Sequence, residues 1–191
     1  MNLIASVARA GLLAGLVLTA EAVADDTHRL VDADTGAVTW SMARHGVALS
    51  LTQLLPDQLR AFYLNRGFPA EVAEVYARSC VFMTVLRNDG APGTVAFRLA
   101  EWTVNSGATV RPPRPVDDWL AEWRRHGLAE PAVIAFRWAQ FPPEQEYEPG
   151  DWNQGMLSVG LPSGAGFDLT ARWQVAGKTY EGKLIDVRCV P

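Results

Sequence analysis

Apolar and polar residues alternate in two neighbouring stretches near the start of the chain. Apolar side chains occupy every second position of 38–42 and again of 47–51, and Arg44, His45 and Gly46 separate the two runs. A period of two is expected of a strand that buries one face, and a short glycine-containing break between such strands is typical of a hairpin. The pattern therefore predicts two antiparallel strands joined by a tight turn.

Three segments have the spacing of helices instead. In the segments that begin at Pro56 and Pro69, apolar residues recur at i, i+3 and i+4, and Gly67 lies where the first helix would end. A third apolar face starts at Val116 and recurs at i+3, i+4 and i+7, with acidic residues in its first turn and basic residues in its last. This charge order complements the helix dipole. We therefore predict two or three short helices.

The rest of the chain returns to the patterns of strands. Alternation or short continuous apolar runs predict further strands within 80–86, 95–104, 134–138, 167–175 and 179–189. The alternation changes phase near Ala100, which predicts a bulge or a bend there. Seven to nine short strands separated by turn residues are typical of an antiparallel β-sandwich, of immunoglobulin-like or jelly-roll type. We predict this mainly β fold as one domain without internal repeats, with the helices as insertions.

The first 24 residues have the pattern of a secretory signal peptide. Arg9 precedes an apolar run at 10–20, and two exits of the form Ala-x-Ala follow within 20–24. The run is shorter than the roughly 20 apolar residues that span a bilayer. We expect cleavage after Ala24 and a domain of residues 25–191 in the periplasm or outside the cell, without a transmembrane segment; the alternative is a retained N-terminal anchor.

The chain has two cysteines, Cys80 and Cys189. In an oxidising compartment an even pair is most simply a disulfide, which here would join the middle of the chain to its last strand. The alternatives are two inert buried thiols, or thiolates that bind a metal or carry redox chemistry. No Cys-x-x-Cys spacing favours the last of these.

Charge and motifs exclude several classes of function. The chain has 17 Lys and Arg against 21 Asp and Glu, a formal net charge of −4, without a basic cluster that could neutralise phosphates. We therefore expect no nucleic-acid partner. The sequence also lacks the Gly-x-Ser-x-Gly, His-Glu-x-x-His and Ser-x-x-Lys motifs and a phosphate-binding glycine loop. Acid–base work by two distant carboxylates, as in a hydrolase, is a minor alternative.

The segment 147–156, YEPGDWNQGM, is the candidate recognition surface. Its Glu-Pro-Gly-Asp core suits a type II turn, and loops at the ends of a sandwich are where binding residues concentrate. Trp152 is the tryptophan best placed to be exposed and to anchor a partner. The predicted binding residues are Glu146, Glu148, Asp151, Trp152 and Asn153.

Alternating glutamates precede this turn. Glu144, Glu146 and Glu148 would share one face of an extended chain, and carboxylates of this kind can bind Ca²⁺. Like charges on one strand face are more often a solvated edge that discourages pairing between sheets. We favour the solvated edge.

Copper is the alternative cofactor. Met42 and His45 form a Met-x-x-His pair, Met83 and Met156 could add sulfur, and thioether with imidazole is a ligand set suited to copper. Three residues of separation bring two side chains together on a helix but not on a strand. We favour Met42 as a core residue and expect no cofactor.

Tryptophan is the basis of a further alternative, because the chain has seven tryptophans. Most of them are in phase with apolar neighbours and are expected in the core. An exposed one could stack on a sugar, as in a carbohydrate-binding module. The function that we predict is a non-catalytic binding or accessory module that recognises another envelope protein; the alternatives are a periplasmic copper-handling protein and a carbohydrate-binding module.

Overall fold

The structure is a computed structural model that describes residues 26–107 and 109–191. Over these residues the chain forms eleven strands, four α-helices and a short 3-10 helix, Leu99–Glu101. The expected signal peptide, residues 1–24, lies outside the described residues. The strands are β1 Asp26–Val31, β2 Val38–Arg44, β3 Val47–Gln53, β4 Ser79–Asn88, β5 Val95–Arg98, β6 Thr103–Asn105, β7 Val110–Arg111, β8 Glu144–Tyr147, β9 Trp152–Pro162, β10 Gly166–Val175 and β11 Lys178–Arg188. The helices are α1 Pro56–Leu64, α2 Ala70–Ala77, α3 Val116–Arg125 and α4 Glu130–Ala139.

Two antiparallel sheets pack against each other, so the predicted mainly β sandwich is confirmed. The first sheet has the order β1-β2-β3-β4-β9. In the second, β10 pairs with β11 on one side and with β5 and β6 on the other, and β8 and β7 lie beyond β5 and β6. The 3-10 helix separates β5 from β6 at the bend predicted near Ala100. Inward-facing side chains of both sheets, Trp40, Phe82 and Trp173 among them, form the sandwich core.

The predicted hairpin and the predicted disulfide are both confirmed. β2 and β3 pair in register across the two-residue turn His45-Gly46. Cys80 in β4 and Cys189 just after β11 are bonded, with their Cα atoms 5.2 Å apart, and both are buried in the sandwich core. The bond therefore ties the first sheet to the end of the second.

The four helices form a third layer on the outer face of the first sheet. Val81 and Met156, from β4 and β9, point away from the sandwich core and pack with all four helices in a second hydrophobic cluster, here called the helix core. Its rings include Tyr63, Trp123 and Phe136, and the Trp123 and Phe136 ring centroids are 5.4 Å apart. No helix within the described ranges is long and apolar enough to cross a membrane.

The predicted strand at 134–138 is wrong, because this segment lies within α4. Ile134, Phe136 and Trp138 do alternate in the sequence, but Phe136 is fully buried while Ile134 and Trp138 are exposed. The buried residues of this segment follow the spacing of a helix, with Ala132 and Val133 four and three residues before Phe136. The chain therefore has four helices within the described residues, one more than the sequence predicted.

The helices are two copies of one motif, so the prediction of no internal repeat is also wrong. α1 begins at residue 56 and α3 at 116, and α2 begins at 70 and α4 at 130, so each helix recurs 60 residues later. The turns match as well, with glycines at φ 80° and 70°. The equivalent backbone hydrogen bonds run from Gly67 N to Leu64 O and from Phe68 N to Tyr63 O in the first copy, and from Gly127 N to Arg124 O and from Leu128 N to Trp123 O in the second.

The two copies also bury equivalent positions. Six buried pairs are each separated by 60 residues: Leu59 and Trp119, Tyr63 and Trp123, Phe68 and Leu128, Val72 and Ala132, Ala73 and Val133, and Tyr76 and Phe136. The residue types differ at every pair, which hides the repeat from a search for identical letters. We call the two copies the first and the second helix pair.

Candidate functional site

An open groove lies between the second helix pair and the second sheet. Its volume is about 370 Å³, and it is lined by three stretches that are distant in sequence, within 98–100, 112–117 and 137–144. Five prolines, together with Leu99 and Phe141, form most of its apolar wall. The prolines are Pro112, Pro113 and Pro115 before α3, and Pro142 and Pro143 after α4. We call this surface the proline groove.

Backbone hydrogen bonds attach all three stretches to their neighbours. Leu99 N donates to Pro143 O (2.8 Å), Arg114 N to Ser158 O (3.0 Å) and Phe141 N to Met156 O (2.9 Å). β9 approaches Phe141 so closely that a Cβ on Gly155 would lie 2.5 Å from the Phe141 Cα. Proline has a fixed φ angle, so the walls of the groove have few ways to rearrange.

Three arginines lie around the groove, and each has an acidic partner. Arg98 Nε lies 3.5 Å from Glu144 Oε2, Arg137 Nη2 lies 3.6 Å from Asp117 Oδ1, and Arg114 pairs with Glu122. The Arg114 guanidinium also stacks on Trp119, 3.5 Å from the ring centroid. Because both signs of charge alternate around the apolar wall, the groove has no strong preference for a highly charged ligand.

A buried polar network lies beneath the groove. Gln140 Oε1 accepts a hydrogen bond from the Tyr76 hydroxyl (2.8 Å), and Gln140 Nε2 donates to the Tyr63 hydroxyl (3.0 Å). Burial raises the pKa of Tyr63 and of Tyr76 above the usual range of a phenol, so both stay protonated near neutral pH. The network therefore holds the end of α4 in place and offers no group that would exchange a proton.

A smaller and more polar pocket, of about 290 Å³, adjoins the groove along β8. Glu144 and Glu146 both line it, whereas Glu148 accepts a hydrogen bond from Thr94 Oγ1 (2.8 Å) at the other end of the strand. The structure therefore does not bring the three alternating glutamates to one point. Within 26–107 and 109–191, no group of three or more His, Cys, Asp or Glu side chains is placed to hold a metal ion.

The segment 147–156 forms a corner between the two sheets. Glu148 and Asp151 close the turn on each other, because Asp151 N donates to Glu148 O and Glu148 N donates to Asp151 Oδ2. Asn88 attaches the turn to β4: its N donates to Asp151 O, and its buried side chain donates to Tyr147 O and to Gly93 O. These bonds account for Asp151, and the positive φ of Gly150, 93°, accounts for the glycine of the turn.

The predicted binding residues of this corner therefore do not all have the same surroundings. Trp152 is 54% exposed, Asn153 is half-buried, and Glu146 lies in the adjoining polar pocket. Glu148 and Asp151 are exposed but are held by the hydrogen bonds of the turn. A role of these residues in binding stays a prediction.

The four predicted copper ligands lie in three different places. Met42 is buried in the sandwich core, whereas Met83 and Met156 are cross-strand neighbours on the opposite face of the same sheet, at the helix core. His45 is exposed, and its ring contacts that of Tyr180 at an angle of 47°, with 4.6 Å between the centroids. The structure brings together only Met83 and Met156, and the Met156 sulfur accepts a hydrogen bond from the Tyr63 hydroxyl.

Trp138 is the surface residue that the sequence analysis missed. It is 84% exposed, more than any other large apolar side chain in the described part of the chain, and Ile134 lies one turn before it at 49%. The error came from assigning 134–138 to a strand of the core. The recurrence of α2 as α4 after 60 residues places Trp138 on a helix surface, but it became visible only with the structure, because the residue types differ at every equivalent buried pair.

Comparisons of the chain with protein-family models, with curated proteins and with solved structures found no match.

Proposed function

We propose that this protein is an exported, non-catalytic binding module and that the proline groove takes an extended segment of another envelope protein. The observation that carries this proposal is the groove itself: a preformed apolar wall with a polar rim, at the junction of the helix layer and the second sheet. Ligand sites of folded proteins are typically concave, largely apolar and formed in advance, with a few polar groups that orient the ligand.

The chemistry of the wall supports a peptide segment as the occupant. Prolines contribute carbonyl acceptors and no N–H donors, so a ligand that lies along them must bring donors of its own. The backbone of an extended chain provides such donors at regular intervals, and its side chains can fill the apolar wall. Arg98 and Glu144 on one side, and Arg137 and Asp117 on the other, can then fix its direction by contacts to side chains of either charge.

The groove supports binding better than catalysis. Its buried polar group is the amide of Gln140, which does not titrate, and the two tyrosines below it are held protonated by burial. The carboxylates at the rim are exposed, and Asp117 and Glu144 each lie beside an arginine. An acid–base pair would need a carboxylate or an imidazole with a raised or tuned pKa at the floor.

Export is supported by the buried disulfide, because such bonds persist in oxidising compartments. We expect that expression of the full-length sequence in a Gram-negative host yields a periplasmic protein whose intact mass lacks residues 1–24 and whose first residue is Asp25. Mass spectrometry of the periplasmic and membrane fractions measures this. An uncleaved chain in the membrane fraction would support the retained anchor instead.

The groove can be tested with a random peptide library displayed on phage. Ala100 is exposed at the edge of the groove, and Ala100→Glu places a longer charged side chain against the apolar wall. We expect peptides selected on the wild-type protein to bind Ala100→Glu at least about tenfold more weakly, a loss of about 1.4 kcal/mol. Isothermal titration calorimetry measures both affinities.

The matched control is Ala61→Glu, which adds the same side chain at an exposed position of α1, away from the groove. It should leave peptide affinity unchanged, and neither variant should alter stability by more than about 0.5 kcal/mol. Trp152→Ala, measured with the same peptides, separates the groove from the corner. Selected peptides that bind Ala100→Glu as tightly as the wild type, or a library that enriches no peptide, would contradict the proposal.

A further inference from the structure

The outer face of α4 exposes large apolar side chains to water more strongly than any other surface of the helix layer within the described residues. Trp138 and Ile134 lie one turn apart on this face, at 84% and 49% exposure. The same exposed face carries Glu130 in the first turn of α4 and Arg137 beside Trp138 in its last turn. An exposed apolar stripe rimmed by charges is typical of a surface that another molecule covers.

The first helix pair provides an internal reference for this face. The residues 60 positions before Ile134 and Trp138 are Glu74 and Arg78. In the first pair Glu74 forms ion pairs with Arg78 and with Arg60 of α1. Arg60 and Arg78 lower the pKa of Glu74 to about 2, as expected of a carboxylate held between two guanidinium groups.

Both positions are thus charged and ion-paired in one copy of the motif, and apolar and exposed in the other. The backbone, the turn and the buried positions are shared, so the fold of a helix pair does not require apolar residues there. In the first pair, ion pairs make this surface compatible with water. The second pair has exposed apolar side chains at the same positions, which indicates that another molecule covers its outer face.

We propose that a second copy of this chain covers the outer face of α4, in a dimer with twofold symmetry in which the two α4 helices pack antiparallel. The stripe of exposed residues on α4 is centred on Ile134. Glu130 and Trp138 are each four residues from it, and Pro131 and Arg137 are each three. In an antiparallel pair centred on Ile134, this residue meets its own copy, and Trp138 lies over Glu130 and Pro131 of the second copy.

Charge favours this arrangement over a parallel one. Glu130 is in the first turn of α4 and Arg137 in its last, so antiparallel packing places each near the opposite charge of the second copy. The neighbouring face of α3 has the same polarity, with Asp117 in its first turn and Arg124 in its last. A parallel arrangement would place like charges together at both ends, at an energetic cost.

The same charges make a lipid surface a poorer occupant. The exposed face of α3 and α4 carries Asp117, Asp118 and Glu130 beside Arg124, Arg125 and Arg137. Attraction to anionic lipid needs an excess of basic residues, and here the two signs balance. A second copy can pair with both signs of charge, because in the antiparallel dimer its basic residues face the acidic residues of the first copy and its acidic residues face the basic ones.

The internal repeat supplies the variant that tests the dimer. Ile134→Glu with Trp138→Arg gives α4 the residues that the first helix pair has at the equivalent positions, Glu74 in α2 and Arg78 directly after it. Glutamate four residues before arginine is a favourable pair on a helix, so the variant is expected to fold. The protein is expressed from its full-length sequence, purified, and its mass in solution measured by sedimentation equilibrium up to about 0.5 mM, where even weak dimers of millimolar Kd are detectable.

The expected result is a wild-type mass of two chains and a variant mass of one chain, with unchanged far-UV circular dichroism. Val75→Glu, on the exposed face of α2, is the control and should stay dimeric. Ile134→Cys should form an intermolecular disulfide when treated with diamide, because residue 134 lies on the twofold axis, and Val75→Cys should not. A monomeric wild type at the highest concentration, or a variant that stays dimeric, would overturn the proposal. A monomer whose tryptophan emission shifts with anionic vesicles, with no shift in the variant that lacks Trp138, would overturn it in favour of a membrane.

Discussion

Replacing Cys80 and Cys189 together with alanine is expected to lower the free energy of unfolding by about 4 kcal/mol. The bond joins residues 109 positions apart, so its removal releases a large closed loop in the unfolded chain. Both sulfur atoms lie in the sandwich core, where their loss also leaves unfilled volume. Urea denaturation followed by tryptophan fluorescence measures the difference, provided that the free energy of unfolding depends on urea concentration with the same slope in both proteins.

A reductant provides the control for this experiment. Wild-type protein unfolded and refolded in dithiothreitol should lose most of the same free energy, whereas the double alanine variant should not respond to it. A loss below about 1 kcal/mol in the variant would mean that the closed loop contributes little, against the chain-entropy account of disulfide stabilisation.

Gly46→Ala is expected to destabilise the protein by at least about 4 kcal/mol, a magnitude reached by few single substitutions. Gly46 has a φ of 77°, and a Cβ there would meet the backbone of Gly90 and Ala91, 2.6 Å from the Ala91 Cα. Its carbonyl also accepts hydrogen bonds from Asp89 N and Gly90 N. The hairpin turn between β2 and β3 therefore cannot move away without losing those bonds.

Gly177→Ala is the matched control. Ala176-Gly177 joins β10 to β11 by a two-residue turn with φ values of 49° and 76°, close to the 50° and 77° of His45-Gly46. Nothing lies within 4 Å of a Cβ at Gly177, so alanine there meets only the strain of the left-handed region, about 1 kcal/mol. Thermal or urea unfolding compares the two variants. Equal losses would show that the close approach at Gly46 is relieved by a small shift of the chain.

The prediction from sequence succeeded where a local pattern and its environment agree. The alternation in 38–42 and 47–51 predicts strands with one buried face. The structure has β2 and β3 there, and their apolar side chains pack against the apolar face of the second sheet. The same reasoning failed at 134–138. Alternation over five residues is short enough to occur within a helix by chance, and only the packing of Val133 and Phe136 in the helix core separates the two assignments.

The candidate site was harder to predict than the fold. The proline groove combines residues 98–100, 112–117 and 137–144, and none of these segments shows a recognisable motif by itself. The sequence drew attention to 147–156 because glycine, proline and acidic residues concentrate there. The structure shows that these residues make a turn held by Asn88, whose buried amide bonds to Tyr147 O and Gly93 O. The unusual composition of this segment is thus explained by a change of direction between the sheets.

The copper hypothesis illustrates the same limit. Met42 and His45 are close in sequence, but Met42 faces the sandwich core from β2, whereas His45 lies in the exposed turn after that strand. The sheet between Met42 and Met83 separates the remaining sulfur atoms, since one faces the sandwich core and the other the helix core. Sequence separation carried no information about which face of the sheet each methionine occupies.

The sequence by itself determined the class of the fold, the hairpin, three of the helices and the partner of each cysteine. These follow from short-range periodicity, from turn residues and from there being two cysteines, so neighbouring residues suffice to encode them. The tertiary structure alone decided which surfaces are open and which are not: the proline groove and the outer face of α4 are open, whereas the turn in 147–156 is held by its own hydrogen bonds. Exposure depends on which distant segments pack over a residue, and that long-range packing leaves no local trace in the order of the amino acids.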